Sequence, residues 1–253
     1  MADTDTTTKK GYLGSASHGI DLVALALLDG QTGKVLTGAD QGLSTSGLVA
    51  VDEGVQGATT VEYQNIETAG TSQFANNKKK RMTMPLQAPT ANLTFLDIAW
   101  DVLNKLLGYE QGADGGYSLN QAGKPNFAML TRTTAYDGSA LYEAFATAQA
   151  IEPTVTHNTD NETEQDANIS LTVNAYEPIA DVFKLKNGKK MPYRRWSSVD
   201  GKFDAEAMMA QVFPGYTPDD LMTKIVPTYV PKNPAQIGGG TTDNHGNSNT
   251  ESH

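Results

Sequence analysis

From Asn168 to Tyr176 the chain reads Asn-Ile-Ser-Leu-Thr-Val-Asn-Ala-Tyr, with apolar and polar residues in alternation. A period of two places Ile169, Leu171, Val173 and Ala175 on one face and Ser170, Thr172 and Asn174 on the other. Only an extended strand with one buried side makes use of that pattern. Further stretches of the same kind precede it. Ile20 to Leu28 is an apolar run closed by Asp29-Gly30, and Lys34 to Leu36 is expected as its returning strand. Ala58 to Ile66 is rich in β-branched and aromatic residues, with Val61, Tyr63 and Asn65 on one face. Phe127 to Thr134 and Ala140 to Ala148 flank Asp137-Gly138, a dipeptide that tolerates the left-handed backbone of a hairpin turn.

Two segments carry helical spacing instead. Asp97 to Leu107 brings Ile98, Val102 and Leu106 onto one face, with Asp97 as the expected N-cap and Gly108 as the expected left-handed stop. Asp204 to Val212 is the second, stopped by Pro214-Gly215, and its Met208, Met209 and Val212 read as core contacts. Many strands and a couple of helices without regular βαβ alternation predict a mainly β, α+β chain. Its expected form is an antiparallel β-sandwich or barrel with one or two packed helices.

The expected organisation is a mobile arm over 1–18, a β domain over 19–230, and a disordered tail rich in Gly, Asn and Ser over 231–253. Within the domain, about 64–90 reads as a long polar loop. No apolar run approaches the roughly 20 residues of a membrane-spanning helix. The acidic, Thr-rich start lacks the basic region of a secretory leader.

Chemistry is sparse. The 253 residues hold no cysteine, which excludes disulfide scaffolds, thiol nucleophiles and Cys-based zinc sites. There are 29 acidic and 19 basic residues, a net charge of −10, so broad electrostatic adhesion to DNA is not expected. His18 lies in Gly-Ser-Ala-Ser-His-Gly, which reads as a surface turn because its spacing is not that of a nucleophile elbow. No phosphate-binding loop, zincin motif or dinucleotide fingerprint is present, and no catalytic residue, cofactor or metal ligand is assigned.

Three charged groups remain. Lys78, Lys79, Lys80 and Arg81 form a short basic run. Glu152, Asp160, Glu162, Glu164 and Asp166 lie in an acidic segment without the loop glycine and terminal glutamate of a calcium-binding EF-hand. Lys184, Lys186, Lys189, Lys190, Arg194 and Arg195 surround Pro192 and Trp196. Each has a plain reading as a solvated loop, or for the last group an exposed hairpin about Asn187-Gly188. The sharper reading is contact between copies of the chain, the basic run against the acidic loop, and Arg194, Arg195 and Trp196 as interface anchors.

The order of elements is itself informative. Ala91 to Leu96 leads into the helix ending at Gly108. A Gly-rich loop follows, then Lys124 to Leu130, the Asp137-Gly138 turn, Leu141 to Phe145, the acidic loop and Ile169 to Asn174. Phe203-Asp-Ala-Glu206 and Val212-Phe-Pro-Gly-Tyr216 come after. From about Gly19 to Tyr216 this succession resembles the major tail tube protein of long-tailed, non-contractile bacteriophages.

The resemblance implies a structural virion protein and no enzyme. It implies homo-hexameric rings stacked into a tube around a tape-measure protein, with tail terminator and distal tail proteins as partners. Assembly takes place in the host cytoplasm, and the tube passes double-stranded DNA without specific binding and without a membrane role. The immunoglobulin-like module that some relatives carry is not read here. The 64–90 loop is then expected to reach a neighbouring subunit or ring, and the lumen to be neutral or negative, with Glu62 and Glu67 as wall residues. Three alternatives remain open on the residues alone: a secreted or surface β-rich carbohydrate-binding module, the tube protein of a bacterial secretion system, and a hydrolase built on a carboxylate pair.

Overall fold

The computed structural model describes residues 16–157, 159 and 168–230. Within them the strands are β1 (Ser17–Leu28), β2 (Leu48–Ala50), β3 (Gly57–Gln64), β4 (Thr71–Ala75), β5 (Lys78–Thr83) and β6 (Thr90–Asp97). After α1 (Trp100–Leu107) come β7 (Tyr109–Gln111), β8 (Tyr117–Leu119), β9 (Asn126–Ala135), β10 (Ala140–Ile151), β11 (Ile169–Ala175) and β12 (Tyr193–Ser197). Helices α2 (Ala205–Val212) and α3 (Asp220–Ile225) close the described chain. None of these helices is long and apolar enough to cross a membrane.

The main sheet runs β2-β1-β9-β10-β11-β6-β3, antiparallel throughout, with β12 also on β10. β10 is its axis. Leu141–Phe145 pair with β12 and Ala148–Ile151 with β11, so those two strands share one edge of β10 end to end. The mainly β, antiparallel architecture with a few packed helices expected from the sequence is the one observed.

Every residue of β1 from Leu22 to Leu28 is buried, which is why this strand shows no alternation. Its two faces enter two cores. Val23, Leu25 and Leu27 join Leu93, Phe95, Phe127, Met129, Phe145, Leu171 and Val173 in the sandwich interior, closed by Val102, Leu103, Leu106 and Leu107 of α1. Leu22, Ala24, Ala26 and Leu28 face outward with Ala128, Ala144 and Ala146, under Met208, Met209 and Val212 of α2 and Met222 and Ile225 of α3. The alanines keep that face shallow, so the helical layer packs close. Arg132 on β9 donates to the carbonyls of Lys224 (2.6 Å) and Ile225 (3.1 Å), tying down the C-terminus of α3, and pairs with Asp21 (3.4 Å).

Tyr63 links the two halves of the sandwich. Its hydroxyl lies 2.9 Å from the Thr131 hydroxyl and 3.1 Å from the Glu143 carbonyl, and its ring meets Phe145 edge-on. Burial holds its pKa well above the ordinary phenol value, so it stays a neutral partner.

Several expectations are corrected. Lys34 to Leu36 forms a single bridge, Leu28 to Val35, and the ladder partners of β1 are β2 and β9. The Asp29 carboxylate accepts from the Thr32 amide (2.7 Å) and hydroxyl (2.6 Å), building a local loop in which Gly33 rather than Gly30 takes the positive φ. α1 starts at Trp100 without a side-chain cap, because Asp97 still belongs to β6, where it pairs with Gly57. Gly108 does end it in the left-handed conformation. His18 is on β1 opposite Thr134, beside the Tyr136 ring, and not in a turn. The 64–90 stretch holds a β4–β5 hairpin, turned by Asn76 and Asn77 at φ of 52° and 57°. Asn65, placed on a strand face by its spacing, instead ends β3 with a positive φ.

Two outcomes test this packing. Leu106→Ala, in the fully buried seam between α1 and the sheet, is expected to cost about 2–5 kcal/mol in denaturant unfolding. A cost below about 1 kcal/mol would show that α1 does not close the interior. Among the described residues the buried Tyr142 hydroxyl has no hydrogen-bond partner, and burial pushes its pKa up to about 12. Tyr142→Phe is therefore expected to be neutral or to stabilise by up to about 1 kcal/mol, and a clear destabilisation would reveal a partner for it.

Candidate assembly surfaces

The β4–β5 hairpin leaves the sheet between β3 and β6 and is not packed on it. All six residues of β5 are exposed, and of β4 only Ser72 is partly covered. Its two faces differ. The Arg81 side chain donates to Gln73 (2.5 Å), and Gln73 to Thr83 (3.2 Å), so these residues share one polar face. Cross-strand register puts Phe74 with Lys79 and Ser72 with Met82 on the other. Phe74 is 69% and Met84 63% exposed, and Met82 and Leu86 are exposed as well. Lys78, Lys79, Lys80 and Arg81 have no ion-pair partner among the described residues. A cationic strand carrying bare apolar side chains is costly in an isolated molecule, and such features mark contact surfaces. The basic run was legible in the sequence; the apolar stripe was not, because it exists only once the strands are in register.

The basic group over 184–196 is divided by the structure. Lys190 donates to the Pro178 carbonyl (2.7 Å), and Lys184 pairs with Asp181, so both hold their own loop. That loop turns at Gly188 around the Lys184–Lys190 bridge. Arg194 lies 6.0 Å from the Phe183 ring centroid and 5.8 Å from that of Trp196. Trp196 packs on the outer core and pairs with Tyr142 across β12 and β10. Arg195 is exposed opposite Glu143. β12 has β10 as its ladder partner and β3 has β6, so each has one edge without a ladder among the described residues, though β1 passes near β3.

The outer face of β3, β6 and β11 is polar apart from the exposed Leu96 near the end of β6. Glu62 stands opposite Asn92, which stands opposite Thr172, and Thr94 is flanked by Thr60 and Ser170. No Lys or Arg occurs in these three strands. Glu67 is exposed in the segment after β3. Asp160, Glu162, Glu164 and Asp166 lie outside the described residues.

Tyr142 apart, the titratable groups with shifted pKa values among the described residues are held by interactions of the fold itself. Burial raises the pKa values of Tyr63, Tyr142, Tyr193 and Tyr216 and displaces the pair Lys124 and Glu152 towards their neutral forms, while hydrogen bonds from Thr32 and Ser139 lower those of Asp29 and Asp137. Tyr193 and Tyr216 donate to Glu143 and Asp219, and Lys124 to the carbonyls of Leu107 and Ala150. These are structural bonds within the fold. Among the described residues no group of His, Asp and Glu is arranged to hold a metal ion.

No curated protein matches the chain. A family model described as phage tail tube protein matches residues 15–220, from the start of the described β domain to the first residue of α3. With more than three quarters of its length covered by that match, this chain belongs to the phage tail tube proteins, structural components of the virion tail that self-assemble into a tube.

Proposed function

We propose that the chain is the tube subunit of a long-tailed, non-contractile phage. It closes into hexameric rings, and the rings stack around a tape-measure protein into a hollow tube that later conducts double-stranded DNA. Assembly occurs in the host cytoplasm, with terminator and distal tail proteins at the two ends. The observation that carries this reading is the unpacked, cationic and apolar β4–β5 hairpin, a surface without use in a solitary molecule. Head-to-tail contacts that close make rings, and rings repeated along an axis make a tube. The free edges of β3 and β12 are sites where neighbouring subunits complete a sheet, which removes edges that otherwise aggregate. Arg195 and the exposed part of the Arg194–Trp196 stack are available to lateral contacts, and the acidic stretch from Asp160 to Asp166 is a charge complement for Lys78–Arg81.

The face bearing Glu62 suits a lumen wall. Duplex DNA adheres where clustered cations release its counterions, and a wall of Thr, Ser, Asn and Glu offers none. Glu67, beyond the end of β3, adds negative charge at its rim.

Electron microscopy of the purified chain is expected to show tubes of uniform bore. Reversal of Lys78, Lys79, Lys80 and Arg81 to Glu is expected to abolish them without lowering the melting temperature, since these side chains are exposed. Unimpaired polymerisation of that variant would remove the hairpin from assembly. Glu62→Lys with Asn92→Lys is expected to leave tubes intact and make them retain DNA in co-sedimentation, with retention falling steeply as salt rises. Equal retention by variant and parent tubes would place this face away from the lumen.

A further inference from the structure

At the end of the sandwich where β6 finishes and β11 begins, a groove of about 830 Å³ is lined by Trp100, Leu103, Tyr117 and Val155, with Asp97 and Glu152 in its walls. Trp100 is 66% exposed and Val155 62%, although both border a concave surface. The indole is set by the first turn of α1 and meets the Tyr117 ring edge-on at 6.0 Å, so it is ordered before anything binds. No Lys or Arg lines the groove. Asp114, whose carboxylate accepts from the Gly116 amide (3.2 Å), adds negative charge beside it. An ordered Trp–Tyr pair in an acidic setting fits an apolar partner flanked by cations.

The chain itself carries such a partner. The hairpin face with Phe74 and Met82 also carries Lys79, and Lys80 follows in the same strand. Hairpin and groove lie at opposite ends of one strand pair. The hairpin departs where Gln64 pairs with Thr90, and the groove opens where Gly57 pairs with Asp97. The eight residues of β6 separate these ends by about 25 Å at the usual rise per residue. The exposure of every β5 residue shows that the hairpin does not fill its own groove.

Building on the tube-subunit reading above, we infer that the hairpin of one copy seats in the α1-end groove of the next. Phe74 and Met82 cover Trp100 and Tyr117, and Lys79 and Lys80 face Asp97 and Asp114, since Glu152 already has Lys124 as its cationic neighbour. Donor and receptor are different surfaces at opposite ends, so the contact is heterologous when repeated head to tail. It adds subunits in one direction, along β6, and gives the assembly a polarity. The acidic groove sets the register of the cations, while the buried aromatic pair supplies the affinity.

Because the chain lacks cysteine, an introduced pair is the only disulfide that can form. Phe74→Cys with Trp100→Cys, oxidised after assembly, is expected to give a ladder of covalent multimers on a denaturing gel. Trp100→Ala is expected to raise the critical concentration for polymerisation roughly 30-fold, as loss of an aromatic anchor does, with an unchanged circular dichroism spectrum. Mixing Trp100→Ala with a Phe74→Ser, Met82→Ser variant is expected to give short capped species, since each supplies the surface the other lacks. Tubes that form normally with Trp100→Ala and give no ladder would overturn this seat while leaving the tube-subunit reading intact. A crosslink within dilute monomers would overturn it too, by showing that the hairpin folds back on its own body. A parent chain that forms neither rings nor tubes would overturn the seat and the reading beneath it together.

Discussion

The burial of β1 on both faces is the constraint from which the rest of the structure follows. A strand with seven consecutive buried residues needs two separate covers. One cover is the β11-β6-β3 half of the sheet, sealed at its end by α1. The other is the layer of α2 and α3, set close by the small side chains of Ala24, Ala26, Ala128, Ala144 and Ala146. With both covers supplied from within, the core is complete in a single copy. Assembly is then left to features outside the core.

Those features share a physical character. The β4–β5 hairpin, the edges of β3 and β12, and the Trp100 groove each present backbone or apolar groups that one copy does not satisfy. The polar face of β3, β6 and β11 is the reverse case, a surface whose Thr, Ser and Asn side chains are content in water and which attracts neither protein nor phosphate.

How much of this was legible in the sequence depended on whether a signal was local. β9, β10 and β11 were read nearly to their ends, because alternation and the Asp137-Gly138 turn are local and strong. Gly108 and Asp204 were read as helix boundaries because capping chemistry lies within one turn. The β4–β5 hairpin was missed because four cations in β5 resemble a solvated loop, and its turn uses Asn76-Asn77 rather than a glycine. α3, at six residues, is too short for periodicity to register, although Asp219 caps it. The groove was out of reach altogether: Trp100, Tyr117 and Val155 meet only after the sheet has formed. The same holds for the Phe74–Met82 stripe, which is a product of cross-strand register.

Hydrogen–deuterium exchange across the assembly transition tests most directly whether the unburied hairpin is what joins copies of this chain. Amides of Thr71 to Thr83 should exchange quickly in the dilute monomer and become protected on polymerisation, while those of β1 and β9 stay protected in both states. Polymers in which the hairpin exchanges as fast as in the monomer would contradict this.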